Sequence, residues 1–186
     1  MPMPARTAKY AVFFRNMNLG RPNSPTKAQF ESALIAAGAE FAESFLTNGS
    51  AVFTATGVTH ARKVVAAACG ILKNECGLKE PAFLRDMNFL ARRVADDPFA
   101  SVKRDQVYQC CVSFAQGKSV DWPGEPLESA RGDIRFLEFG AAEAFSAVYE
   151  INGRPGNPNA LLEKRLGIPF TTRNWNTIQR MVHKYG

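Results

Sequence analysis

The stretch Phe41 to Ala55 restricts the fold more than any other part of the chain. Two apolar runs, Phe41 to Leu46 and Ser50 to Ala55, flank Thr47-Asn48-Gly49. Asn-Gly between apolar runs is the strongest short signal for a β-hairpin, because the favoured turns need positive φ. Helical patterns stand on both sides of it. Ser24-Pro25 offers a cap followed by proline at the first helical position, Phe30, Ala33, Leu34 and Ala37 recur at helical spacing, and Gly38 closes the run. Thr59 reads as the cap of a second helix, with Val64, Val65, Ala68, Ile71 and Leu72 inward and Gly77 at its end.

Lys9 to Arg15 is apolar on both alternating faces (Tyr10, Val12 and Phe14 on one, Ala11 and Phe13 on the other), which predicts a central strand. Pro81 to Arg85 supplies a fourth strand. The order is β-α-β-β-α-β, the ferredoxin-like motif.

The second half repeats the theme less legibly. Phe89, Leu90 and Val94 mark a helix that stops at Asp97-Pro98. Gln106 to Phe114 alternates, with Tyr108, Cys110, Val112 and Phe114 assigned to the apolar face. Pro126 to Ala130 reads as a helical turn or two, and Asp133–Phe139 with Glu143–Asn152 as a strand pair across Gly140-Ala141-Ala142. Gly153 to Asn157 reads as a loop, and Pro158 to Leu166 as a helix ended by Gly167. In the last helix Trp175, Ile178, Val182 and Tyr185 share a face, which predicts that Trp175 anchors the core. No sequence identity between the halves marks a duplication.

The expected architecture is therefore α+β. It has two ferredoxin-like (βαββαβ-type) sub-domains, antiparallel sheets covered by helices, and an extra C-terminal helix. Residues 1–7 read as a frayed leader, 8–86 as the first sub-domain and 87–186 as the second. The leader has no apolar run, so it does not read as a signal peptide. No segment reaches the length of a membrane-spanning helix, and no membrane partner is expected.

The chain's net charge of +6 is uneven. Residues 1–85 hold ten Lys/Arg against five Asp/Glu, and residues 86–186 hold thirteen against twelve. A basic first half suits an anionic ligand or nucleic acid, although no basic block is long enough to be a tail. The four cysteines contain no CxxC spacing, and they read as reduced thiols of a cytoplasmic protein. His60 and His183 are far apart with no carboxylate partner nearby in sequence, so no metal site is expected. No Walker loop, GxGxxG or GxSxG occurs, and no cofactor is expected. Arg131-Gly132 before Ile134 to Phe139 lacks the aromatic pattern of an RNA-binding strand.

Three polar stretches remain: Arg15 to Arg21, Thr47 to Ser50 and Thr171 to Thr177. The last reads as a helix start, with Thr171 or Thr172 as cap and Arg173 in the first turn. A cation at that positive end, beside Thr172 and Asn174, suits an anion. Arg15, Arg85 and Arg173 would offer guanidinium forks for phosphate or carboxylate, with Asn18, Asn48 and Asn174 as neutral hydrogen-bond partners. The opposing reading is that the threonines only cap, the asparagines only brace turns and Trp175 only packs.

Several of these segments are shared with a known family. Arg15-Asn16-Met17-Asn18-Leu19-Gly20, the hairpin Thr47 to Phe53, Ala82-Phe83-Leu84-Arg85, and Pro158 to Lys164 leading into Thr171–Thr177 resemble the domain-of-unknown-function family 1697. The resemblance runs from about Lys9 to the last helix. It implies an α+β fold with two ferredoxin-like parts in a bacterial, cytoplasmic group, and it names no substrate. The chain departs from the family pattern at Met17, Leu19 and Arg21, at Thr47 to Ser50, and at Arg154-Pro155-Gly156, where relatives carry a lysine.

Three functions follow as expectations. The first is a binding module for a small anionic ligand or a nucleic-acid backbone through Arg15, Asn18, Asn48, Arg85, Thr172, Arg173 and Asn174. The second is an enzyme that positions a phosphorylated or carboxylated substrate with the three arginines and uses Asp86 as base. The third is a structural or interaction protein that forms a dimer through a sheet edge or the aromatic C-terminal helix, the chain being a monomer or a homodimer.

Overall fold

The computed structural model describes residues 7–124 and 127–186. Most of the expected leader, and the Pro126 end of the expected 126–130 helical turn, lie outside them. The chain forms two compact units. The first runs through Ala91 and takes in Tyr185–Gly186, and the second is Arg92–Lys184.

The first unit holds β1 (Ala8–Phe14), α1 (Lys27–Ala36), β2 (Ala42–Phe45), β3 (Ser50–Ala55), α2 (Val58–Cys76) and β4 (Ala82–Asp86). Its sheet has the order β2-β3-β1-β4, with every pair antiparallel. The doubly apolar β1 is thus an inner strand. Tyr10, Val12 and Phe14 share one face with Ala51 and Phe53 and pack on Phe30, Ala33 and Leu34 of α1 and Val64, Ala68 and Leu72 of α2. Thr26, two residues past the expected cap, starts α1 through a reciprocal capping box with Gln29. The cap of α2 is Gly57 and makes no side-chain bond, so Thr59 lies inside the helix.

The helix α3 (Met87–Asp96) follows β4 directly and crosses from the first unit into the second. The second unit continues with β5 (Gln109–Ala115), β6 (Ile134–Phe139), β7 (Glu143–Val148), the two-residue strands β8 (Glu150–Ile151) and β9 (Arg154–Pro155), α4 (Pro158–Leu166), β10 (Phe170–Asn174) and α5 (Trp175–Tyr185). Its main sheet has the order β10-β5-β7-β6, again antiparallel throughout. Among the described residues no helix joins β5 to β6. Leu127, Val120 and Trp122 instead pack beside Leu162 of α4 and Phe170. Residues 127–130 carry no helix, and Glu128 bridges to Arg135. Tyr108, expected on the apolar face, is 54% exposed, because the strand begins only at Gln109. The loop expected at 153–157 is a tight hairpin, and Gly156 passes so close to Ile134 and Asp133 that a Cβ would lie 2.6 Å from the Asp133 carbonyl oxygen.

The two main sheets have the same strand permutation, with β5, β6, β7 and β10 standing for β1, β2, β3 and β4. The registers of β1 with β3 and β4 match those of β5 with β7 and β10 residue for residue, while β6 carries a bulge that β2 lacks. Arg85 lies opposite Ala11 as Arg173 lies opposite Val112, and Phe13 faces Ser50 as Phe114 faces Glu143. In both units a helix ended by a left-handed glycine (Gly77, Gly167) leads through a proline (Pro81, Pro169) into the last strand. That strand then runs straight into another helix, so the expected extra C-terminal helix α5 is the counterpart of α3.

Candidate functional site

Seven residues were expected to bind a ligand, and the structure divides them. Thr172, Arg173 and Asn174 do not start a helix; they are strand β10, and α5 begins at Trp175. Two consecutive β-branched threonines fit a pleated strand as well as a cap, and the β5 ladder takes them. Asn174 is the cap instead, its Oδ1 accepting the Asn176 N–H at 2.9 Å. Alternation then puts Arg173 on the sheet face opposite Thr172 and Asn174.

Arg173 is 7% exposed and donates to the Thr171 hydroxyl at 2.8 Å and the Thr172 carbonyl at 3.0 Å. Burial lowers its pKa to about 10. It is a buried strand residue, not an arginine at an exposed helix rim. Thr172 shares a hydrogen bond with Ser113 at 2.7 Å and donates to Asn159 Oδ1 at 3.3 Å. Asn174 Nδ2 donates to Gln109 Oε1.

Arg85 repeats the pattern in the first unit. It is 8% exposed and donates to the Leu84 carbonyl at 2.7 Å. Asp86, the suggested base, caps α3 by accepting the Asn88 N–H at 2.7 Å. Pro81, Arg85, Asp86 and Asn88 thus match Pro169, Arg173, Asn174 and Asn176 in position, and each arginine bonds the carbonyl just before it. The shared Pro-x-x-x-Arg-Asx-x-Asn, spaced 88 residues apart, was the sequence signal of the repeat.

Arg15, Asn18 and Asn48 lie on two loops whose backbones touch, and none of the three lines the cavity beside them. The loop after β1 lies on the β2–β3 turn through Phe14 N–H to the Gly49 carbonyl at 2.8 Å and Leu19 N–H to the Thr47 carbonyl at 2.9 Å. The Asn18 carbonyl accepts the Arg21 N–H at 3.1 Å, and its own N–H reaches Ser24 Oγ at 3.4 Å. Asn48 Oδ1 accepts the Ser50 hydroxyl at 2.9 Å. Arg15, partly exposed, pairs with Glu80 at 3.5 Å. Beside this loop a cavity of about 410 Å³ is lined by Asn16, Pro22, Asn23, Ser24, Gly77, Leu78, Lys79 and Glu80. Asn16 and Asn23 hold positive φ of 53° and 56°, which asparagine tolerates better than most residues. Arg85 is not part of this corner. Its partner Ala11 is four residues back along β1, about 13 Å at strand rise.

Sequence reasoning passed over Asn16, Asn23, Ser24 and Lys79. The signal available was the density of Asn and Ser around Pro22 and Pro25. Among the described residues no group of three or more His, Cys, Asp or Glu is placed to hold a metal ion. His60 accepts from the Thr56 N–H at its own helix start. All four cysteines are free thiols. Burial, aided by Cys110, pushes Cys111 up to about 12, far from a nucleophile at neutral pH. No described helix is long and apolar enough to cross a membrane.

Fold and corner together define an α+β protein of two like four-stranded antiparallel sheets, with one polar loop cluster at the end of the first. The chain belongs to the family Protein of unknown function (DUF1697), whose sequence model matches residues 7–143. No curated protein matches it. Among solved structures it is similar to the conserved bacterial protein SP0830 from Streptococcus pneumoniae, at a TM-score of 0.66 and 16% identity over 97% of this chain and 100% of that one. At that identity the likeness speaks for the fold alone.

Proposed function

We propose that the protein is a cytoplasmic binding module for a small ligand bearing phosphate or carboxylate, built from two ferredoxin-like units. The ligand enters the cavity beside the β1–α1 loop, where Lys79 meets its charge, Arg15 reaches in from outside the lining by leaving its pair with the lining carboxylate Glu80, and Asn16, Asn23 and Ser24 meet its neutral oxygens. The observation that carries this reading is internal to the molecule. In the second unit the same loop–turn contact recurs, with Ala115 N–H to the Ala142 carbonyl at 2.9 Å and Val120 N–H to the Ala141 carbonyl at 2.7 Å. There the turn is Gly140-Ala141-Ala142, and Trp122 closes the corner by donating to the Gly140 carbonyl and packing on Phe139 and Phe170. The fold therefore makes this corner without asparagine or arginine, which supports a role for the polar set of the first unit beyond bracing its loops. Arg85 and Arg173 are counterparts in the two units, as are Asp86 and Asn174, and the proposed site leaves them out.

The cavity volume suits a small ligand rather than a polymer. A thermal-shift panel of inorganic phosphate, nucleotides, sugar phosphates and dicarboxylates tests the reading, because binding raises the melting temperature by mass action. At least one class is expected to shift wild-type protein, and Arg15→Ala and Lys79→Ala to abolish that shift. No shift at millimolar concentration across the panel, or a shift that both variants retain, would overturn it. Binding of single-stranded RNA or DNA with a steep salt dependence would replace the small ligand by a nucleic-acid backbone.

A further inference from the structure

Among the described residues β2 is an outer strand of its sheet, paired only with β3. Such an edge is a template for adding another strand unless something blocks it. The phase of the ladder tells which groups point outward. Thr54 N–H donates to the Phe41 carbonyl at 3.1 Å. Bonded and non-bonded pairs alternate in an antiparallel ladder, so at the pairs Ala42↔Phe53 and Ser44↔Ala51 the β2 backbone faces outward. Two exposed apolar side chains, Phe41 and Leu46, flank this edge and would favour strand addition.

One side chain sits on the outward groups. Glu31 Oε1 accepts both the Ser44 N–H and the Ser44 hydroxyl, each at 2.9 Å. Glu31 is held in turn by Lys27 one helical turn earlier, at 3.8 Å. The counterpart edge strand in the second unit, β6, is blocked by other means. Glu128 bridges Arg135 there, and a bulge shifts the register between Phe136 and Glu138, which twists an edge away from pairing. Both edges are closed, by unrelated devices.

We propose that Glu31 guards the β2 edge and keeps it from pairing with β2 of a second copy of this chain. An antiparallel β2–β2 pair presents the same strand from both copies and so closes as a dimer. With the carboxylate in place, a second strand would have to displace a charge-assisted bond and leave the carboxylate at a desolvated edge. The inference is independent of the proposed ligand site, since Glu31, Ser44 and β2 lie outside that cavity's lining.

The test is the mass of the whole protein by light scattering across concentration, for wild type, Glu31→Ala, Glu31→Gln and the double variant Glu31→Ala with Ala42→Pro. Glu31→Ala is expected to rise with concentration towards twice the wild-type mass. Glu31→Gln keeps an acceptor and should follow wild type. Proline at position 42 removes an outward donor without touching the bonds to β3, so the double variant should return to wild-type behaviour. A Glu31→Ala mass that tracks wild type, or an association that Ala42→Pro leaves intact, would overturn the proposal. Hydrogen exchange in wild-type protein is a second measurement that needs no variant. The Ser44 amide should exchange at least about tenfold more slowly than the Ala42 amide on the same edge, an order-of-magnitude expectation for a protected against an open group. Equal rates would also overturn the proposal.

Discussion

Substituting Gly49 by alanine should damage both the fold of the first unit and its polar corner. Gly49 has φ of +73°, and a Cβ there would lie 2.6 Å from Met17 Cβ, 3.1 Å from its Sδ and 3.2 Å from its Cγ. The left-handed backbone alone costs an L-residue about 1–2 kcal/mol. Carbon atoms prefer separations of about 3.5–4.0 Å, so Met17 must retreat by about 1 Å. Met17 is buried in the core beneath the loop, and forcing such a group aside costs about 1–3 kcal/mol. The sum is about 2–5 kcal/mol, read as a fall in the urea midpoint with unchanged slope. Met17→Ala offers a sharper check. It removes Sδ and Cγ but keeps Cβ, the closest atom, so most of the clash persists. The double variant should deviate from additivity by less than about 1 kcal/mol. A Gly49→Ala cost under about 1 kcal/mol, or its disappearance in the Met17→Ala background, would refute this reading of the turn. Because Thr47 and Gly49 hold Leu19 and Phe14 by their carbonyls, the variant should also lose any ligand-induced melting shift.

Other perturbations separate struts from site. Trp175→Ala removes a side chain that is 1% exposed and packed on Phe99 and Phe145 at ring separations of 5.4 and 5.7 Å, and should cost about 3–5 kcal/mol in chemical denaturation. Arg173→Ala takes a charged donor from two acceptors inside the second unit; it should cost about 2–4 kcal/mol while leaving a ligand-induced melting shift unchanged, and a neutral effect on stability would contradict the strut. Cys111 has its pKa raised from 9.0 to about 12 by burial and by Cys110. Its protonated thiol therefore contributes stability that is complete below pH 9 and lost as pH rises from 9 towards 12. Under reducing conditions the urea midpoint of wild type should fall more steeply from pH 8 to about 10.5 than that of Cys111→Ala, and equal slopes would count against it.

Much of the fold was legible because its signals are local. The Thr47-Asn48-Gly49 turn, the doubly apolar β1 and the proline-to-glycine frame of α4 each carry their own chemistry, and all three stand where the pattern put them. What misled were residues with two uses. Thr171 and Thr172 suit a helix cap and a strand equally, and only the neighbouring β5 ladder decides between them. Tyr108 fits the alternation yet precedes the strand. The repeat was hidden for another reason. Only proline, arginine and asparagine persist between Pro81–Asn88 and Pro169–Asn176, and their equivalence becomes visible only once both are seen to lie at a strand-to-helix junction. The two polar loops that carry Arg15, Asn18 and Asn48 were legible as residue types, but the residues lining the cavity beside them were not. The exclusion of Arg85 from that corner was not legible either, because that depends on which end of β1 each strand reaches.

The repeat also changes what an arginine or asparagine in this chain can be taken to mean. Arg85 and Arg173 were the strongest anion-binding candidates by chemistry alone, since guanidinium forks suit phosphate. Yet each bonds the carbonyl that precedes it, in the same register and ahead of the same Asx-capped helix. A geometry made twice by otherwise unlike sequences is what a structural role at that junction would produce. The β1–α1 corner is the converse. One backbone contact is made twice, once closed by Trp122 and flanked by a buried Glu143, and once left open beside Asn16, Asn23 and Lys79. Positive φ at Asn16 and Asn23 carries a cost that the loop of the closed corner avoids by placing its positive φ at Gly117. Costs of that kind cluster at functional sites, so the proposed site at the open corner of the first unit is where binding measurements belong.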